Sequence, residues 1–311
     1  MEFIPRGIIA VDKQGDRILF LDPVTLEVVD GIEQMPILPH ELAVAPDRRR
    51  AYVPAYGDGV HGDNPHPGHV LSVIDLDSRE RQGDIDLAPL TAPHTGRFGP
   101  DGLLFVACED SAAIAVVDGA CDHMIGGIPT GSRKSHRLIV LSRRGLICTD
   151  NEEAASVSLL SLSDHRLLGK VELPGAIAGI TAAADESRIY CTDASAPRLW
   201  PIRLADGKVE PPIALHGHDR SAQVVRLSAD QSSLMVIGDH EPVVTLLDLE
   251  SGQQRIVEVG AKPMDAAFHP DCRTALVANE GEGSVTQIDL AQAEVLRKVK
   301  VGTGCETLAY F

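Results

Sequence analysis

Three histidines, His40, His94 and His136, each stand seven residues before a polar turn residue (Asp47, Asp101 and Arg143) in a segment that recurs along the chain. The same place holds Ala178, Gln223 and Met264 in later copies, and Glu306 in the last. Neutral imidazole binds Zn²⁺, Fe²⁺, Mn²⁺ and Cu²⁺ alike, and geometry rather than affinity selects among them. The expectation is therefore a divalent-metal site with His40, His94 and His136 as ligands and Glu306 as fourth ligand or general base. A cation held there acts as a Lewis acid on a carbonyl oxygen or lowers the pKa of a bound water. Glu109, Glu280 and His240, which follows Asp239, are the candidates for proton transfer.

Such a site needs an element that brings equivalent residues of successive copies to one place. Each copy has an alternating apolar run, a polar turn and a second apolar run ending in an acidic or amide residue. PHELAVAPDRRRAYVPAY from Pro39, PHTGRFGPDGLLFVACED from Pro93 and PMDAAFHPDCRTALVANE from Pro263 are examples. Alternation with period two, closed by Asp, Gly and Pro, reads as a half-buried strand with a hairpin turn. Third strands follow in SVIDL, AVVDG, TLLDL and TQIDL, and shorter fourth strands in KVELPG, QRIVEVG and RKVKVG. The turn positions are spaced 54, 42, 42, 45 and 41 residues apart, with no helical pattern between them. Four antiparallel strands per repeat make a propeller blade, because one such sheet cannot cover both its faces and must stack on neighbours.

The ends supply the remaining blade. Residues 304–311 match only a first strand, and residues 6–31 match only strands two to four. The expected fold is all-β: a single seven-bladed β-propeller over residues 1–311, closed by pairing the N- and C-terminal strands, which leaves no exposed edge. In a blade the innermost strand lines the channel, and the loop between strands two and three lies on the face where that strand enters. His40, His94, His136 and Glu306 thus fall on consecutive blades. Glu109, His240 and Glu280 fall in the loops of the same face. One such loop is long: Asp47 to Asp75 spans 28 residues, against 18 for both Asp230 to Asp248 and Asp271 to Asp289. The excess, GDGVHGDNPHPGH, reads as a lid or rim, with His61 turned into the pocket.

The phrases AYVPAYGDG, VLSVIDLDSRE, ALVANEGEGSVTQIDL and VGAKPMDAAFHPD resemble the YVTN-type propeller repeat, and the chain resembles YncE-like, lactonase-like seven-bladed propellers over nearly its whole length. The copies from Ser135 and Ile177 depart most from that repeat, with Ser-Arg-Arg-Gly and Ala-Asp-Glu-Ser at the turn. The resemblance implies the fold and suggests a lactone as substrate. Propellers host many chemistries, so it does not fix the reaction.

Composition narrows the partners. A net charge of −17 spread along 311 residues repels phosphate backbones and anionic membranes, so neither nucleic acid nor a membrane is expected as partner. The first residues lack a basic region followed by a continuous apolar run, from which a cytoplasmic location is expected. The six cysteines contain no CxxC pair, and several, in strand-like runs such as FVAC and GLIC, read as small buried hydrophobes. GxSxG, HExxH, Walker and EF-hand patterns are absent from the sequence. The reading that results is a metal-dependent hydrolase or lyase acting on a small polar molecule (a lactone, ester or hydroxy acid) at the channel mouth. The alternative is a non-catalytic propeller that binds metal or serves as an interaction scaffold. Aromatic residues at 4% favour the first over a scaffold.

Overall fold

The computed structural model describes residues 4–36, 38–59, 63–133, 135–152, 154–228 and 230–311. They form an all-β, seven-bladed propeller fold of seven antiparallel sheets, with two three-residue 3₁₀ turns, Lys13–Gly15 and Glu109–Ser111, as the only helix among the described residues. The chain divides into two compact units, Gln34–Ile180, and Met1–Glu33 with Thr181–Phe311.

Within Gln34–Ile180 lie three blades in which each strand pairs with the next in sequence. Their innermost strands are Ala43–Val44, Pro93–Phe98 and Ser135–Leu141. The core sits between blades, and the period of two explains why. Along the second strand Leu103–Cys108, Leu104, Val106 and Cys108 pack with Tyr52, Leu71 and Ile85 of the preceding blade, while Phe105 and Ala107 pack with Leu138, Ile147 and Leu160 of the following one. Both faces of this blade are thus covered, at roughly 1.5–3 kcal/mol for each large apolar side chain fully buried. The extra residues of the long 47–75 segment partly lengthen its hairpin, to strands Arg50–Gly57 and Pro67–Asp75.

In the other unit the C-terminal strand Cys305–Tyr310 pairs antiparallel with Ile8–Asp12, giving a sheet that continues through Arg17–Leu21 and Val28–Ile32. Cys305, Leu308 and Tyr310 are buried against Leu276, Ala278 and Val285 of the neighbouring blade. One sheet has a split outer strand: Lys208–Val209 and Ile213–Ala214 both pair with Arg198–Arg203. Pro211 and Pro212 lie between the two pieces and lack the N–H a continuous ladder requires. Of the cysteines, Cys108, Cys148, Cys191 and Cys305 are buried, Cys272 is half-buried and Cys121 is exposed; all six are free thiols.

Four inner strands share one irregularity, and the chain entering Ala43–Val44 has it too, advancing four residues from Pro39 to Ala43 against three from Ala55 to Tyr52. Between Pro93 and Gly96 the chain advances three residues while its partner strand, from Cys108 to Val106, advances two. The same shift occurs between Ser135 and Leu138, between Pro263 and Asp265, and opposite the Val11–Asp12 step, where Glu306 is the extra residue. Such a bulge places one surplus residue and re-aims its side chain. Strict alternation would send the residue after each channel position to the opposite face. The bulge lets both turn the same way.

Candidate active site

His40 precedes its short strand and is anchored by its backbone N–H to the Pro54 carbonyl, 3.0 Å. His94 and His136 lie at the bulges of Pro93–Phe98 and Ser135–Leu141. The three rings meet. His40 Nε2 and His94 Nε2 are 2.6 Å apart, and the His94 and His136 ring centroids are 3.9 Å apart. Tyr56 closes one side, its ring 5.2 Å from that of His40 and 5.8 Å from that of His94. Tyr56 donates its hydroxyl proton to Glu109 Oε2 at 2.9 Å. Burial, reinforced by the Glu109 charge, holds this phenol well above its ordinary pKa, so Tyr56 remains a neutral donor.

Behind the imidazoles stand residues that motif and spacing did not single out. Glu41, Thr95 and Arg137 each follow one of the three histidines, and the bulges turn them toward one another. Thr95 Oγ1 donates to Glu41 Oε2 at 2.6 Å, and Arg137 Nε donates to Glu41 Oε1 at 3.2 Å. Arg137 Nη1 also donates to the Ala178 carbonyl at 2.7 Å. Glu41 Oε1 lies 3.4 Å from His94 Nδ1. His136 Nδ1 lies 2.5 Å from Glu152 Oε2 and 3.1 Å from Arg137 Nη1. The two contacts compete, since Nδ1 cannot donate to a carboxylate and accept from a guanidinium at once. Asp150 is wholly buried and accepts the Arg137 backbone N–H at 2.6 Å. Burial pushes its carboxyl up to about 7, against the opposing pull of His136 and Arg137.

The signal for the missed residues is in the sequence: opposite charges, Glu41 and Arg137, occupy the position after the channel histidine, which alternation assigns to an apolar blade face. A buried charge at such a place needs a partner, and here the partners are each other.

Glu306, Glu280 and His240 belong to the other unit and have partners of their own. Glu306 Oε1 is paired with Lys13 Nζ at 2.8 Å. Glu280 takes Lys262 Nζ at 2.7 Å and the Gln14 amide at 2.9 Å. His240 contacts Arg220 through Nδ1 and lies 3.5 Å from Asp239 through Nε2. His61 lies outside the described residues. Its loop neighbours His66 and His69 are exposed and paired with Asp58 and Asp86.

The donor chemistry suits a borderline metal ion: three imidazoles, two of them with carboxylates at Nδ1, as ligating histidines ordinarily have. Glu41, Glu109, Asp150 and Glu152 are buried in this unit, and among the described residues so is Arg137. Yet no three His, Cys, Asp or Glu side chains among the described residues are spaced to hold a metal ion as they stand. Two nitrogens on one tetrahedral ion lie about 3.3 Å apart at bonds of about 2.0–2.1 Å, so His40 and His94 must separate by roughly 0.7 Å to admit one.

No family model matches the chain, the YVTN-type family included, and no curated protein matches its sequence. Solved structures match its fold. Hydrazine synthase from Kuenenia stuttgartiensis superposes with a TM-score of 0.79 at 18% identity, covering 91% of this chain and 92% of that one. A functionally unknown protein from Desulfotomaculum acetoxidans gives 0.79 at 13% identity, covering 98% of each chain. The periplasmic gluconolactonase PpgL of Pseudomonas aeruginosa gives 0.74 at 21% identity, covering 97% and 98%. These likenesses establish the propeller fold. They also correct the expected cytoplasmic location, because a structural neighbour over almost the whole chain is a periplasmic protein.

Proposed function

We propose that the chain is a lactonase-like enzyme that opens a small lactone or ester by water, using a divalent cation held by His40, His94 and His136. The observation that carries this is the convergence of three imidazoles, two of them with a carboxylate beside Nδ1 as ligating histidines ordinarily have. The gluconolactonase among the structural neighbours supports the substrate class as an analogy of fold.

When bound, the cation would polarise the carbonyl and acidify a water. The chain's own groups do the rest. Thr95, Glu41 and Glu152 orient the rings of His94 and His136. With the Nε2 atoms of His40 and His94 committed to the cation, the Glu109 carboxylate would take the proton of the attacking water through the Tyr56 hydroxyl and return it by the same route to the departing alkoxide oxygen. Tyr56, held by Glu109, packs against the His40 and His94 rings and presents an uncharged donor beside them. Glu306, Glu280 and His240 are assigned no step.

The test is hydrolysis of a panel of sugar lactones and aryl esters by protein purified without an affinity tag, before and after chelation and re-addition of Zn²⁺, Mn²⁺, Fe²⁺ or Cu²⁺. The proposal requires turnover that chelation removes and one of these ions restores. Activity indifferent to chelation overturns the metal, and inactivity against the whole panel overturns the substrate class.

A further inference from the structure

We infer that Thr95 and Glu41 are positioning residues that fix His94 in the tautomer with its proton on Nδ1 and a bare lone pair on Nε2. The argument is one of counting protons. Thr95 has a single hydroxyl proton, and at 2.6 Å it is given to Glu41 Oε2. Toward His94 Nδ1, 3.2 Å away, Thr95 Oγ1 then has only a lone pair to offer. Glu41 Oε1, 3.4 Å from Nδ1, is also an acceptor. Nδ1 faces two acceptors, so it must carry the hydrogen. Nε2 is left as the acceptor, and the 2.6 Å contact with His40 is donated by His40 Nε2. Arg137 Nε, donating to Glu41 Oε1, holds that carboxylate in place.

The molecule contains its own control. In the other unit a carboxylate, a threonine and an arginine meet again: Asp265 accepts from Thr307 Oγ1 at 2.7 Å and from Arg226 Nε at 2.8 Å. Asp265 and Thr307 stand, like Glu41 and Thr95, directly after the channel position at a bulge. There the preceding residues are Met264 and Glu306, so this second knot has no imidazole to orient. A carboxylate, threonine and arginine are therefore a bracing device of the fold. Only in Gln34–Ile180 is the brace joined to a ring whose tautomer matters for chemistry.

This inference deepens the proposed function but is read without metal or substrate. The experiment is nitrogen-15 NMR of the histidines in the full chain, above their pKa, on wild type, Thr95→Val, Thr95→Ser and Thr307→Val. The expected spectrum has His94 Nδ1 protonated and Nε2 bare in wild type, Thr95→Ser and Thr307→Val, and mixed or reversed tautomers in Thr95→Val. Zn²⁺ titration should show Thr95→Val binding about 10–100-fold more weakly, as loss of an outer partner does, with Thr95→Ser close to wild type. A wild-type His94 protonated on Nε2, or a Thr95→Val spectrum like that of wild type, overturns the inference and leaves the hydrolase proposal standing. Unchanged tautomers in Thr307→Val separate positioning from bracing, and a shift of His94 in that variant would also overturn it.

Discussion

Replacing Asp150 by asparagine should reshape the pH dependence of stability. Asp150 is fully buried on Leu146–Asn151, Oδ1 accepting the Arg137 N–H, and its carboxyl is raised from 3.8 to about 7. The unfolded chain releases this proton near 3.8 and the folded chain holds it to about 7, so between those values the native state binds more protons. Stability from this group is therefore full below about pH 4 and lost as pH rises to about 7. At about 1.4 kcal/mol per unit, roughly three units amount to about 4 kcal/mol. Asparagine keeps the acceptor for Arg137 and never ionises, so it imitates the protonated acid. The variant should match wild type within about 1 kcal/mol near pH 4 and exceed it by about 2–4 kcal/mol at pH 8. Urea unfolding followed by far-ultraviolet circular dichroism between pH 4 and 9 measures this. Curves that run parallel, with a constant offset, would refute the reasoning.

Other outcomes follow from the same packing. Glu41→Gln and Arg137→Met should each cost about 3–5 kcal/mol in urea unfolding, because each strands a buried charge, while the double variant should cost less than the sum by more than about 1 kcal/mol. Additive losses would mean that the two do not act as a pair. Deleting residues 304–311 removes Cys305–Tyr310 from the sheet it begins and bares the edge of Ile8–Asp12. Insolubility or a lowering of Tm by more than about 10 °C is expected, and a truncated chain that melts like the full one would contradict the closure.

The architecture was legible because each blade repeats the same alternation and turn, and the spacing of those turns needs no tertiary information. The terminal pairing followed from two incomplete copies. His40, His94 and His136 were legible as equivalent positions for the same reason. The residues behind them were not. Glu41, Thr95 and Arg137 sit where alternation points away from the channel, and a bulge, which no residue type announces, turns them back. Glu306 and Glu280 show the converse: their repeat positions recommended them, but Lys13, Gln14 and Lys262, distant in sequence, occupy their carboxylates.

The central claim is that the three imidazoles hold a divalent cation, and metal content read beside the fold tests it most directly. Wild type and His94→Ala, purified without an affinity tag and loaded with Zn²⁺, Mn²⁺, Fe²⁺ or Cu²⁺, should be compared by elemental analysis and circular dichroism. One ion per chain should remain on wild type, with release on acidification through the range where imidazole takes a proton, near 6.5. His94→Ala should keep the β-sheet spectrum and retain no ion. Wild type that keeps none of the four ions, or His94→Ala that keeps as much as wild type, would contradict the account.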